Sequence, residues 1–215
     1  MLPCGGGKSV IVAEIAKRTT AKRNHVLFLV HRKELVDQIQ NTFDFWGVNM
    51  ENTDIMMVQT ASRRINKLTS PALIITDENH HSKAATYRKI YDAFPNAHRL
   101  GVTATPVRLD GSGLGDVNDI LVEGVSAKWL IEHHYLAPYD YYAPSIADLT
   151  GIKIQHGEYE TRSVEKALLR TAVFGDAIKH YRQLADGKQA ICYCVSVNHS
   201  YAMAEEFKAN GISAE

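Results

Sequence analysis

Cysteine is scarce in this chain of 215 residues: Cys4, Cys192 and Cys194 are the whole set. Three thiols cannot build the framework of a disulfide-stapled secreted domain. Cys192 and Cys194 read as neighbours on one side of a strand rather than as a bridge, and Cys4 as a small residue in a tight loop. Long apolar runs are missing too. None approaches the roughly 20 residues needed to cross a bilayer, so no membrane partner is expected. The N-terminus lacks the basic-then-apolar pattern of a secretion signal, because a glycine-rich loop occupies it. These absences point to a reducing cytoplasm. Net charge is absent as well, with 24 basic and 24 acidic side chains. That excludes bulk attraction to nucleic acid but leaves room for a local basic groove. There is no short-period repeat and no low-complexity tract.

What is present is ordinary in bulk, with 45% apolar and 22% charged residues, as in soluble globular proteins. The length allows one full domain and part of another. Helical spacing predicts helices over residues 7–18, 33–46, 61–68 and 82–93. Short apolar runs predict strands over 25–30, 55–58, 72–76 and 99–102. Strands alternating with helices imply a parallel sheet covered on both faces, with ligands at the carboxyl ends of the strands. Residues 110–115 read as a flexible stretch. Further on, helices are expected over 126–133, 163–169, 175–184 and 199–209, the last closed by Asn210-Gly211. An extended connector is expected over 135–144 and a strand over 189–195. The expected organisation is a first α/β domain over 1–125, a connector over 126–150 and a partial second domain over 151–215.

Three segments carry chemistry. In Pro3-Cys4-Gly5-Gly6-Gly7-Lys8-Ser9, the glycines Gly5, Gly6 and Gly7 can wrap backbone N–H groups around phosphates. The following helix adds its positive end. Lys8 can reach the β and γ phosphates, and the Ser9 hydroxyl can ligate magnesium. The full pattern asks for glycine where Leu2 stands. In Asp77-Glu78-Asn79-His80-His81, two carboxylates follow a buried strand, where charge is costly unless paired or bound to metal. Asp77 would hold magnesium through water, and Glu78 would orient and deprotonate an attacking water. His80 would couple the nucleotide site to neighbouring motifs, and His81 would pack or face solvent. Zinc is disfavoured, because no Cys or His partner lies at ligand spacing. In Thr103-Ala104-Thr105-Pro106, the hydroxyls of Thr103 and Thr105 can bond the acidic motif and relay nucleotide state. Arg32, Thr60, Arg63 and Arg64 follow strands, where donors to a sugar-phosphate backbone are commonly found. Each feature has a plainer reading: a glycine turn, an acidic loop, a strand end, a solvated face.

Together these segments resemble the superfamily 2 helicases of the DEAD/DEAH-box type. Pro3-Cys4-Gly5-Gly6-Gly7-Lys8-Ser9 resembles motif I, Val30-His31-Arg32-Lys33-Glu34-Leu35 motif Ia, and Asp77-Glu78-Asn79-His80 motif II. Val58-Gln59-Thr60-Ala61-Ser62-Arg63-Arg64 is similar to the next segment that contacts nucleic acid. The run from Gly101 to Gly111 resembles motif III with its flanks. The style, including His81-Ser82 and Arg108-Leu109-Asp110-Gly111, resembles the phage and bacterial members related to restriction-enzyme motors. The likeness covers most of residues 1–145 and extends more loosely to 189–195, which resembles the strand of motif IV.

The resemblance implies a RecA-like P-loop domain followed by the beginning of a second RecA-like domain. It implies ATP and Mg2+ as cofactors, and ATP hydrolysis coupled to translocation or unwinding. The implied partner is nucleic acid, DNA ahead of RNA, in a bacterial or phage-infected cell. The sequence departs from the pattern at Asn79, where a small residue is usual. It also lacks the adenine-reading segment and the strand that would precede the phosphate loop. Motifs V and VI, with an arginine worth roughly 10³–10⁵ in rate in related systems, would lie beyond Glu215. A chain truncated at both ends is therefore expected, with a partner subunit or missing segments completing it. Two alternatives remain: a remnant that binds nucleic acid or a partner without turnover, and a P-loop NTPase unconnected with nucleic acid.

Overall fold

Five consecutive apolar residues, Val26-Leu27-Phe28-Leu29-Val30, need cover on both faces. They form strand β1 (Val26–Val30), and all five are buried. The computed structural model describes residues 1–105, 113–142, 154–155, 158–159 and 171–215. Strands β2 (Thr53–Met57), β3 (Leu73–Asp77) and β4 (His98–Val102) join β1 in a parallel sheet of order β2-β1-β3-β4. The register sets Val30 beside Met57, Leu29 beside Thr76, and Asp77 beside Val102. The carboxyl ends of all four strands therefore share one edge.

The period of two divides the core. Val26, Phe28 and Val30 face one way, with Leu73 and Ile75, against helices α1 (Lys8–Thr20) and α2 (Glu34–Trp46). Leu27 and Leu29 face the other way, with Ile74, against α3 (Val58–Arg63) and α4 (Ala85–Ala93). Strands buried on both faces read as continuous apolar runs, which is why β1 and β3 lack polar alternation. Phe28 meets Phe43 of α2 edge-on at 5.4 Å.

Two helices differ from expectation at their starts. The segment after β2 turns helical at Val58, three residues before the expected start, and breaks at Arg64 into a single 3-10 turn over Ile65–Lys67. The segment after β3 spends its first residues on a 3-10 turn, Asn79–His81, so α4 begins only at Ala85. Past β4, Met1 and Leu2 lie between the end of that strand and residues 122–124. Leu2 N–H donates to the Thr103 carbonyl at 3.1 Å, and Gly124 N–H to the Met1 carbonyl at 2.9 Å. A short helix, α5 (Ala127–Glu132), follows; the Ser126 Oγ accepts from Trp129 N–H at its start.

The chain divides into two units, Met1–Tyr139 and Asp140–Glu215. The second contains a two-residue antiparallel pair, β5 (Ile154–Gln155) with β6 (Glu158–Tyr159), and helices α6 (Thr171–Ala185) and α7 (Val197–Ala209). The two helices meet through Tyr181 and Phe207, edge-on at 5.6 Å, and an Arg182 bond to the Asn210 carbonyl at 2.7 Å. Gly211, at φ 76°, closes α7 as expected. The strand expected over 189–195 is not formed. Among the described residues nothing pairs with it, and a strand exists only through ladder hydrogen bonds. Cys192 and Cys194 still face one another, Sγ to Sγ at 3.8 Å, as free thiols. The helix expected over 163–169 and the first part of the glycine-rich stretch, residues 110–112, lie outside the described residues.

Candidate nucleotide and nucleic-acid site

The phosphate-loop candidate bends where its glycines permit. Gly5 and Gly7 adopt φ 72° and 84°, left-handed values that cost other residues strain. Gly6 N–H closes the turn onto the Pro3 carbonyl at 3.0 Å. Gly5 is constrained twice, since a Cβ there would lie 2.6 Å from the Leu136 side chain. That second constraint has no sequence signal, because 131 positions separate the two residues. Helix α1 starts at Lys8 with no side-chain cap and no acidic residue in its first turn. An uncapped N-terminus leaves N–H groups and partial positive charge for an outside anion. A Cβ on Gly7 would meet nothing within 4 Å, so the space beside that glycine is open. These features fit a phosphate group. Lys8 Nζ donates to the Leu2 and Pro3 carbonyls at 3.3 and 3.2 Å, bonds that a phosphate oxygen can replace.

Asp77 ends β3 and Glu78 follows in a left-handed conformation, φ 48°, ψ 54°. Such a backbone is uncommon outside glycine and asparagine, and strain of this kind concentrates at functional sites. Burial pushes the Asp77 carboxyl up from its ordinary value. The Glu78 backbone N–H opposes this, the Glu78 charge adds to it, and His31 and Lys8 pull it down. The Lys8 charge therefore acts on Asp77 across the two motifs. The His31 Nδ1 is buried beside them and has no hydrogen-bond partner among the described residues; its ring lies 5.6 Å from that of His81. Ser9 and Asp77 offer hard oxygen donors. Magnesium commonly takes one or two protein carboxylates and completes its shell with phosphates and water, so this pair fits it.

His80 connects the second motif to the third. Its Nδ1 lies 3.1 Å from Thr103 Oγ1 and 3.3 Å from Glu78 Oε2. Thr103 Oγ1 donates to the Thr105 carbonyl at 2.9 Å and accepts from Thr105 N–H at 3.1 Å. The threonine has one proton and has given it to Thr105, so the His80 proton sits on Nδ1. The three motifs thus meet at one end of the sheet: Leu2 on Thr103, Lys8 near Asp77, His80 between Glu78 and Thr103.

Asn79 shows how its larger side chain is housed. It is buried against Gly101, where a Cβ would come within 2.1 Å of its amide. Its Nδ2 donates to Asn118 Oδ1 at 3.1 Å. Nearby, Lys83 pairs with Asp116 at 2.8 Å and holds that carboxyl below its ordinary value. Residues 114–118 are thereby strapped to the acidic motif. Sequence reading missed this strap, since Asn79 read only as a departure within the acidic motif and Asn118 stands in no recognisable pattern.

The nucleic-acid candidates lie at the neighbouring strand ends. Arg32 follows β1, and Thr60, Arg63 and Arg64 belong to α3 or its end, directly after β2. All three arginines are exposed and Thr60 is half-buried. They share the sheet edge with the three motifs but make no contact with them among the described interactions. Pro106 and the rest of the third motif's flank, to residue 112, lie outside the described residues.

Residues 1–67 and 49–108 match the family described as "Type III restriction enzyme, res subunit". A "51.5 kDa protein" of Lactococcus phage (isolate 7-9) is 46% identical over 212 residues, covering 99% of this chain and 47% of that protein. "Putative ATP-dependent helicase IRC3" of Saccharomyces cerevisiae is 27% identical over 261 residues, covering 100% and 36%. The "Type I restriction enzyme EcoAI endonuclease subunit" of Escherichia coli is 25% identical over 245 residues, covering 94% and 30%. The chain spans less than half the length of each. Phosphate loop, acidic motif and threonine motif all fall inside the matched family segments, and the chain belongs to the superfamily 2 helicase family, among the relatives of restriction-enzyme motor subunits.

Proposed function

We propose that this chain is the nucleotide-binding core of an ATP-dependent motor that acts on nucleic acid. The observation that carries the reading is the convergence of Gly5–Ser9, Asp77–Glu78 and Thr103–Thr105 at one sheet edge. Gly5, Gly6 and Gly7 would admit the phosphates, with Lys8 on the β and γ oxygens. Ser9 and Asp77 would hold magnesium, which when bound neutralises charge on those oxygens. Glu78 would orient water and take its proton at a carboxylate oxygen. His80 would carry the state of that carboxylate to Thr103 and Thr105. Arg32, Thr60, Arg63 and Arg64 would grip a sugar-phosphate backbone, of DNA ahead of RNA, on the same edge.

The test measures nucleotide binding and hydrolysis with and without single-stranded DNA or RNA. Lys8→Ala is expected to lose ATP binding. Glu78→Gln is expected to bind ATP and not turn it over. Normal hydrolysis by Glu78→Gln would sink the assignment of the base. ATPase activity indifferent to nucleic acid would replace the motor with a P-loop NTPase of another class. Nucleic-acid binding without turnover in the unsubstituted chain would mark it as non-catalytic.

A further inference from the structure

Three aromatic rings lie stacked and open on the first unit, and the core does not account for them. Trp129 of α5 stacks on His133 at 3.9 Å with 18° between planes, and on Tyr135 at 5.8 Å with 11°. Tyr135 is 69% exposed and Trp129 38%. The arrangement is built rather than incidental. Ser126 caps the helix at Trp129, Leu130 anchors it in the interior, and His134 adopts φ 61° to reverse the chain. Tyr135 and Leu136 N–H then both return to the Leu130 carbonyl, at 2.8 and 3.1 Å. A left-handed histidine is a cost, and here it lays Tyr135 parallel to the indole.

The next residue fixes where this platform stands. Leu136 packs over Gly5, close enough that a Cβ on that glycine would overlap it. The aromatic stack therefore adjoins the phosphate-loop candidate within the same unit. We infer that Tyr135 and Trp129 form the base-stacking platform for the nucleotide whose phosphates the loop receives. The inference rests on the nucleotide reading of that loop. Flat aromatic faces bind any base through stacking. A strand of nucleic acid also needs cations for its backbone, and Lys128, the one lysine of α5, faces Glu132 at 3.7 Å. For a mononucleotide the anion site is already next door.

The chain has two tryptophans, so Trp46→Phe leaves Trp129 as the sole indole, whose emission is read by exciting beyond the tyrosine absorption band. In that background Mg-ATP is expected to quench the emission, and Mg-tripolyphosphate to bind without quenching. Tyr135→Ala, at an exposed position, is expected to keep its melting temperature and its tripolyphosphate affinity. Its ATP affinity should fall roughly five- to hundredfold, the value of one stacked base, with Tyr135→Phe restoring it. Equal affinity for ATP in Tyr135→Ala and the parent overturns the platform. So does equal loss of ATP and tripolyphosphate. Loss of oligothymidylate binding with ATP binding intact gives the platform to nucleic acid instead. Absence of both ATP and tripolyphosphate binding in the unsubstituted chain overturns the phosphate-loop reading, and this inference with it.

Discussion

Strand β1 lies between two parallel neighbours and buries all five of its residues, whereas residues 189–195 in the second unit pair with no strand among the described residues. Both segments are short, rich in β-forming side chains and followed by a helix. In β1, Phe28 is fully buried between the sheet and α2; in the other, Ile191 and Tyr193 are 79% and 92% exposed. Strand propensity measures fit to a pleated, half-covered surface more than a preference of the backbone itself. The same apolar grammar becomes a strand where a ladder and two helical layers receive it. Where they do not, it remains unpaired chain. The first unit is organised by its sheet, and the second by the contact of α6 with α7.

The sharpest test sets the two segments side by side. Phe28→Ala removes a ring buried in the first unit and is expected to cost about 3–5 kcal/mol. Tyr193→Ala is expected to stay within about 0.5 kcal/mol, as exposed substitutions do. Denaturant melts would measure both, and a large cost at Tyr193 would show that 189–195 has partners after all. A smaller effect is expected where the first unit couples its own motifs. Gly101→Ala drives a methyl into the Asn79 amide and should cost about 1–3 kcal/mol. Asn79→Ala should relieve most of it, so the double variant falls well short of additivity. Additive losses would separate Gly101 from the acidic motif.

Hydrogen exchange should then resolve the contrast at the backbone. Amides of β1 should exchange only through global opening, and those of 189–194 almost at once. Ile191→Lys should leave stability unchanged while reducing self-association, because an unpaired apolar segment is a template for strand addition. The smallest effect is chemical. Burial, the Cys192 hydrogen bond and the Cys192 charge push the Cys194 thiol up to about 11. Only the thiolate reacts, so alkylation of Cys194 should still be rising between pH 9 and 11. Cys192→Ser should shift that rise to lower pH, and an unchanged profile would show that the two sulfurs do not interact.

Much of the first unit was legible because its signals are local. A run of five apolar residues, a helix stripe or a glycine loop before Lys8-Ser9 can be read without knowing what lies beyond. The four strands and their parallel direction followed from alternation, and the acidic and threonine motifs fell at strand ends, where ligands gather in such sheets. The start of α3 and the 3-10 turn after Asp77 were harder. Backbone geometry at Arg64 and Glu78 decides them, and composition carries little of it.

The amino-acid order alone determined the α/β class, the sheet, the family and the glycine loop that we propose receives phosphates. Each depends on neighbours in sequence or on periodicity, which the chain states directly. Tertiary structure alone decided that 189–195 is not a strand, that Asn79 is seated against Gly101 and tied to Asn118, and that Leu136 covers Gly5 beside a stack of aromatic rings. The contacts of Asn79 and Leu136 join residues 22 to 131 positions apart. Their energies depend on which surfaces meet, and only the folded chain brings those surfaces together.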